Sequence, residues 1–541
     1  MPHSSQGPTT RFATGVLLGL LVFGGGCVKR TPPSTAPPPV PAPAAGVHPT
    51  PVPAPRLPGT IPTAPAGIQS LRADLSRVFE NPAFGRMQWA VLVQSLASGE
   101  TVYAANASKL VMPASNMKIV TLAAAAERLG WDYTYETTLV TAAPVVNGIL
   151  KGDLVIVGTG DPTIGGRGGS ATREFEDWAD RLRAEGLTGI TGRIVADARA
   201  FGQETLGAGW AWDYLGSGYA AGVSALQFNE SVADVVIKPG MSTGQPAVIE
   251  VRPIESGLIV DPRVTTSAGG DPDIEIFRLA GSNRLIVRGT VPAGAKDIVR
   301  SATVDRPALY FARILREVLV ARGIRVGGVA AEYEEVYAVP PTAPTRVLLS
   351  HQSAPLSDIA RVLMKASQNQ YAETLLRTLG ARSGAGTPEA GRTAVQEVLD
   401  GWGIPRDAYA QADGSGLSRY NYVCAETLVT ILKQMYIDPR HKEPFLAALA
   451  IGGQDGTISR RFVGTAAAGN VRAKTGSIAN VRALSGYVTS ADGEPLVFSI
   501  IANNFTAPQS AIDAATDEAV VRLANFVRKT SDKNGPHEFD H

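Results

Sequence analysis

Cysteine is nearly absent from this chain, with two in 541 residues, Cys27 and Cys424. Two thiols make no disulfide framework and offer no metal cluster. Histidine is scarce as well: six, scattered, with no H-E-x-x-H or other metal-spaced motif, so no metal requirement is read. Charge of one sign is missing, since 50 Lys and Arg against 49 Asp and Glu leave a formal net charge of +1. That removes the electrostatic case for nucleic acid or a strongly acidic partner. Long apolar runs are missing too. The stretch Phe12 to Phe23 falls short of the length expected of a transmembrane helix.

What is present is enough apolar sequence, 44%, for a large core, and a length that calls for two or three domains. Arg11, the apolar run after it, and Gly24-Gly25-Gly26-Cys27 have the layout of a secretory signal. A cysteine straight after small residues resembles a bacterial lipoprotein signal, with Cys27 as the lipidated N-terminus. Gly24 departs from it, standing where that signal usually has Leu. Ordinary cleavage and an uncleaved anchor are the alternatives. Residues 28–66, rich in Pro, Ala, Thr and Val, favour extended polyproline conformations and read as a semi-rigid tether. The chain is therefore expected to be exported to the periplasm or cell envelope and held to a membrane by its N-terminal lipid.

The body is organised around Pro113-Ala114-Ser115-Asn116-Met117-Lys118, which opens an Ala-rich run closed by Gly130. Proline at the start and glycine past the end are helix punctuation. Ser115 and Lys118 then share a face of the first turn, and the amine reaches the hydroxyl. A serine needs a base to take its proton, and a lysine held neutral by burial or a nearby cation is such a base. The run Ala123 to Ala126 suits a helix packed on all sides, which supplies the dry surroundings.

Around this helix the periodicity predicts a helix over Ile68 to Phe79 and a hairpin of Trp89 to Gln94 with Thr101 to Ala104. Short β-prone runs follow: Thr138 to Thr141, Leu154 to Gly158, Arg193 to Ala196, Val232 to Lys238, Val248 to Arg252 and Leu285 to Gly289. They read as a β-rich unit over 138–302, inserted between the two parts of a main domain, 68–137 and 303–530, with a tail at 531–541. Helices are predicted over Pro307 to Arg322, Leu356 to Ala366 and Ala511 to Val527. Strands are predicted over Asn470 to Thr475, Ala483 to Thr489 and Leu496 to Asn503. Two strands at the front and three at the back make one antiparallel sheet with helices on both faces.

Three short elements stand in order: Ser115-x-x-Lys118, Ser367-x-Asn369 and Lys474-Thr475-Gly476. The trio resembles that of class A β-lactamases and penicillin-binding proteins. The long gap between the first two motifs resembles the class C low-molecular-mass penicillin-binding proteins, the D-alanyl-D-alanine carboxypeptidase/endopeptidase family. So do Gly160-Asp161-Pro162-Thr163, the segment from Asp413 to Asn421, and Asp455-Gly456-Thr457. The resemblance covers 68–528 and implies the transpeptidase fold, a five-stranded antiparallel sheet flanked by helices, with a large β-rich insertion. It implies that Ser115 attacks the amide between two D-alanines and that Lys118 takes its proton. Ser367 relays a proton toward the leaving amine, and Asn369 holds the substrate amide and Lys118. Lys474 supplies positive charge for the substrate carboxylate, which Thr475 also binds. Gly476 belongs to that same strand motif. The backbone N–H groups of Ser115 and Ser477 form the oxyanion hole, and no cofactor is needed.

Peptidoglycan stem peptides are the implied substrate and β-lactams the implied inhibitors. Arg419 and Asp213 are expected near the peptide side-chain pocket, although Tyr214 stands where the family often has a second acid. For Arg419 a structural ion pair is the alternative. Trp210 and Trp212 are expected to pack in the core, and Glu373 to lie on a helix surface. Two other functions stay open: a β-lactamase-like hydrolase or esterase, and a non-catalytic peptidoglycan-binding lipoprotein.

Overall fold

The computed structural model describes residues 67–528, apart from 166, 168, 280 and 340–343. The segment carrying Cys27, the tether and the 531–541 tail lie outside the described residues. The main body begins with helix α1 (Ile68–Phe79), the hairpin β1 (Gln88–Ser95) and β2 (Thr101–Ala105), and helix α2 (Met117–Leu129). Successive side chains of a strand point to opposite faces. In β1, Ala90 and Leu92 enter one core, while Trp89, Val91 and Val93 enter another. The strand is apolar from Trp89 to Val93 because both of its faces are covered there. Every residue of α2 from Met117 to Ala126 is buried, which the row of alanines permits by letting neighbours approach on all sides.

The inserted region holds strands β3 (Glu136–Thr141) and β4 (Leu154–Gly158), helix α3 (Arg173–Ala184) and strand β5 (Ile194–Asp197). Strands β6 (Val232–Lys238), β7 (Val248–Arg252), β8 (Ile259–Ser267), β9 (Asp273–Arg278), β10 (Arg284–Pro292) and β11 (Ile298–Thr303) follow. Then come helix α4 (Pro307–Ala321), strand β12 (Ala330–Glu332) and strand β13 (Arg346–Gln352). They form a five-stranded sheet in the order β12-β5-β4-β3-β13 and two three-stranded sheets, β7-β6-β11 and β8-β10-β9. The region is β-rich as expected, but it extends past residue 302. Phe311 and Leu315 of α4 share a buried core with Phe175, Trp178 and Phe228, and β13 pairs antiparallel with β3. The apolar face of α4 and the ladder of β13 are thus satisfied inside the insertion. The sequence boundary at 302 is corrected to the end of β13.

The main body resumes with helices α5 (Leu356–Lys365), α6 (Asn369–Arg382), α7 (Pro388–Gly401), α8 (Ala425–Ile437) and α9 (Lys442–Ala448). Strands β14 (Ala450–Ile451), β15 (Arg472–Ile478), β16 (Val481–Thr489) and β17 (Pro495–Asn503), and helix α10 (Gln509–Ala524), complete it. The sheet runs β2-β1-β17-β16-β15-β14. These are the five expected antiparallel strands plus a two-residue edge. Helices α1 and α10 pack on one face; α2 and α5 to α9 pack on the other.

Ser115 sits in a 3-10 turn, Ala114–Asn116, that leads into α2. Side chains pin this turn to the sheet. Asn503 of β17 accepts from the Met112 N–H at 2.8 Å and donates to the Met112 carbonyl at 3.0 Å. Asn116 donates to the Ser485 hydroxyl of β16 at 2.7 Å. Two close approaches require glycine. A Cβ at Gly416, where φ is +85°, would lie 1.8 Å from the Ala114 carbonyl oxygen, and one at Gly476 would lie 2.5 Å from that of Pro113. Gly416→Ala is expected to destabilise the protein by roughly 2–4 kcal/mol through strain and clash. Urea unfolding of the variant measures this, and an unchanged midpoint would show that the turn is not packed this closely.

Candidate active site

The sequence places a lysine three residues after Ser115, and the structure makes that spacing productive. The Lys118 amine is fully buried and lies 3.0 Å from Ser115 Oγ. It donates to Asn369 Oδ1 at 2.6 Å and to the Ser415 carbonyl at 2.8 Å. A neutral amine has two N–H bonds and one lone pair. With both N–H groups taken, the lone pair faces the Ser115 hydroxyl. Burial lowers the Lys118 pKa to about 7, and the carboxylates of Asp413 and Glu373 keep it from falling further. The amine is therefore poised to exchange a proton near neutrality.

The second motif is bent toward the same point. Ser367 adopts φ +58° and Ala114, just before the nucleophile, φ +47°. These are left-handed conformations that cost energy for residues with a Cβ. Ser367 Oγ accepts from Lys474 Nζ at 2.8 Å, and Lys474 also donates to the Thr475 carbonyl at 2.7 Å. Lys474 is fully buried. Burial, and then the charge of Lys118, hold its pKa well below the usual lysine range. Both buried lysines lie behind the wall of one cavity, which their hydrogen-bond partners Ser115, Asn369 and Ser367 line.

That cavity, about 500 Å³, is lined by Ser115, Ser367, Asn369, Thr475 and Ser477, with Tyr214, Tyr219, Leu417 and Thr457 among the other walls. Thr475 Oγ1 donates to Thr457 Oγ1 at 2.7 Å. Strand β15 meets β14 only at Arg472 and Ala473. Among the described residues, the outer edge from Lys474 to Ile478 therefore carries no ladder, leaving backbone groups for an extended ligand. All three motifs converge as the sequence predicts, and Gly476 supplies the close approach to Pro113 described above.

The remaining expectations fare differently. Arg419 donates to the Ala479 carbonyl at 2.9 Å, bracing a cavity wall through the backbone; this is neither a side-chain ion pair nor a place in the cavity lining. Asp213 is exposed and does not line the cavity, whereas Tyr214 does. Both belong to a 3-10 turn, Trp212–Tyr214, in which consecutive side chains point about a third of a turn apart. The tryptophans are not in the core. Trp210 is half-buried and its indole N–H donates to Asp413 at 2.9 Å, while Trp212 is 65% exposed with its ring against Phe277. Glu373 is not a surface residue: it is 4% exposed and accepts from the Gly414 and Ser415 N–H groups. The signal was available, because Glu373 lies four residues after Asn369 on one helix and so shares its inward face.

One set of donors, Glu127, Asp438 and His441, has metal-like spacing. The Arg440 guanidinium already bridges Glu127 and Asp438. His441 Nδ1 accepts from Trp131 at 3.0 Å, which turns its Nε2–H toward Glu127. These groups satisfy one another and fit no cation.

Residues 71–526 match the family described as D-Ala-D-Ala carboxypeptidase 3 (S13). The chain belongs to that family. Among its relatives, a D-alanyl-D-alanine carboxypeptidase of Actinomadura sp. (strain R39) is 35% identical over 481 residues, covering 85% of this chain and 86% of the relative. The carboxypeptidase DacB of Haemophilus influenzae is 28% identical over 456 residues, covering 80% and 91%. The crystal structure of penicillin binding protein 4 from H. influenzae superposes with a TM-score of 0.73 at 25% identity, over 84% of this chain and 99% of that one. This S13 chain is thus a low-molecular-mass class C penicillin-binding protein with the penicillin-binding fold.

Since Lys118 must be unprotonated to act, acylation by benzylpenicillin should rise with pH and reach half its plateau at about 7. Below that it should fall about tenfold per pH unit. Stopped-flow acylation rates measure this, and a flat profile from about pH 5 to 8 would contradict a lysine base.

Proposed function

We propose that this S13 enzyme is a serine-type D-Ala-D-Ala carboxypeptidase and DD-endopeptidase that acts on peptidoglycan stem peptides through a Ser115 acyl-enzyme. The observation that carries the proposal is the set of contacts of the buried Lys118 Nζ, with Asn369 Oδ1 at 2.6 Å and the Ser415 carbonyl at 2.8 Å as acceptors and Ser115 Oγ at 3.0 Å.

The extended stem peptide lies along the free edge of β15. Its C-terminal carboxylate meets Lys474 and the Thr475 hydroxyl, and the incoming negative charge stabilises the protonated form that burial disfavours in the free enzyme. Ser115 Oγ gives its proton to Lys118 Nζ as Oγ bonds to the carbonyl carbon. The backbone N–H groups of Ser115 and Ser477 take the oxyanion, an arrangement worth roughly 3–4 kcal/mol per donor. The proton held by Lys118 passes by way of Ser367 Oγ to the leaving nitrogen as the C–N bond breaks, so Lys118 is neutral again, and Lys474 holds the Ser367 hydroxyl in place. Asn369 keeps Lys118 oriented and offers its amide face to the substrate. Water then enters where the amine left; as its oxygen bonds to the ester carbon Lys118 takes its proton, and that proton passes to Ser115 Oγ as the C–Oγ bond breaks, which regenerates the free enzyme. A free terminal D-Ala gives the carboxypeptidase reaction; a D-Ala joined to a neighbouring stem gives the endopeptidase reaction with the same groups. A β-lactam presents the same carboxylate and a strained amide, and the inhibited form is a penicilloyl-Ser115. The relative from H. influenzae has been crystallised in complex with a β-lactam, which supports this reading.

The substrate lies outside the cytoplasmic membrane, and the sequence of Arg11 to Cys27 supports export. We assign Cys27 as the lipidated residue and 28–66 as the tether that lets the enzyme reach the wall from a membrane.

Incubated with benzylpenicillin, the protein should gain one penicilloyl mass, and Ser115→Ala none. Ser115→Ala should also lower turnover of D-Ala-terminated muropeptides by on the order of 10⁴-fold or more, since nucleophile and base act as a unit. Rapid loss of the drug without an adduct would point to a β-lactamase-like hydrolase. Undiminished muropeptide binding with neither adduct nor drug loss would point to a binding protein.

A further inference from the structure

The base is oriented by a backbone carbonyl, that of Ser415, and the loop bearing it is gripped by two buried carboxylates. Glu373 Oε2 accepts from the Gly414 N–H at 3.0 Å and Glu373 Oε1 from the Ser415 N–H at 2.8 Å. Asp413 Oδ1 accepts from the Gly416 N–H at 2.7 Å. A peptide unit is planar, so the Gly416 N–H lies in the same rigid plane as the Ser415 carbonyl. Fixing three successive N–H groups fixes three successive planes, the last being the one whose carbonyl meets Lys118. Asp413 is itself held by the Ser418 N–H at 2.7 Å, Asn421 at 2.8 Å and the Trp210 indole at 2.9 Å.

We infer that Glu373 and Asp413 are positioning residues for the base: they clamp the Gly414–Gly416 backbone so that the Ser415 carbonyl takes one N–H of Lys118 and the lone pair is left on Ser115, with their charge facing the amine. The inference rests on the assignment of Lys118 as base. Neither carboxylate touches the substrate, and neither is the water-activating acid of a β-lactamase. Glu373 spends both of its oxygens on backbone N–H groups.

The charged groups that bear on Lys118 are Glu373 of α6, Asp413 of the loop and Lys474 of β15. Arg377, one turn along α6, bears on Glu373. Burial, and then the charge of Asp413, raise the Glu373 pKa above the usual carboxylate range, while hydrogen bonds from Ser415 and the Gly414 N–H, and the charge of Arg377, oppose that rise. Glu373 carries its charge only in part where Lys118 titrates; removing that charge weakens a field that favours protonated Lys118, so the amine should lose its proton at lower pH.

The test is the single-turnover rate of benzylpenicillin acylation, read by intact mass as a function of pH, for the wild type, Glu373→Gln and Glu373→Asp. Glu373→Gln should lower the plateau rate by about 10²-fold, the scale of a small misplacement of a reacting group, and move the acid midpoint below that of the wild type. Glu373→Asp keeps the charge but withdraws it by one methylene, so its plateau should fall with the midpoint in place. Circular dichroism checks that each variant is folded. If Glu373→Gln does not fold, Asp413→Asn is read in the same way. Folded variants that keep both plateau and midpoint would overturn the inference. A lowered plateau with an unmoved midpoint in Glu373→Gln would do so too, since a purely structural defect behaves that way. Absence of any Ser115 adduct on the wild type would instead overturn the assignment of the base.

Discussion

A lysine amine buried beside a serine hydroxyl, with no carboxylate among the described residues in hydrogen-bonding contact, is the constraint on which the rest depends. A buried charge without a direct partner is costly, so Lys118 is pushed toward neutrality, and neutrality is what a general base requires. The surroundings serve that one condition. The alanines of α2 allow helices to close around it. Asn369 and the Ser415 carbonyl take its two N–H groups. Glycines at 416 and 476 let the loop and the β15 edge reach the turn that carries Ser115.

The inserted region takes part in this arrangement instead of standing apart from it. Asn369 donates its amide to the Tyr219 carbonyl at 2.7 Å, Gln370 donates to the Ser231 hydroxyl at 2.6 Å, and Gln227 donates to Thr374 at 2.9 Å. The first turns of α6 are therefore gripped by the insertion on one side and packed against α2 on the other. The amide that orients Lys118 is set by residues on both sides of a break in the sequence of the main body. Trp210 reaches Asp413 across the same boundary.

These relations divide what was legible in the sequence from what was not. Ser115 and Lys118 could be paired from spacing alone, because one helical turn brings them together. The strands Leu154–Gly158, Val232–Lys238 and Val248–Arg252 match their predicted bounds, each being a short β-branched run closed by glycine or proline. The extent of the insertion was hidden, since β13 finds its partner β3 some two hundred residues back in the chain, and no local pattern records such a pairing. Asp213 was misplaced because the phase of a 3-10 turn cannot be read from a tripeptide. Glu373 was misread for another reason. It was expected on a helix surface, whereas its place on the inward face of α6 follows from Asn369 by helical geometry.

The central claim is that Lys118 is the proton acceptor and is neutral at working pH. The most direct measurement is an NMR titration of the protein with ¹³C-labelled lysine, the Lys118 signal being assigned by its loss in Lys118→Arg. Lys118 should titrate at about 7, apart from the surface lysines near 10.4. A Lys118 signal that titrates with the surface lysines would show a charged amine facing Ser115, and a lysine base would be excluded.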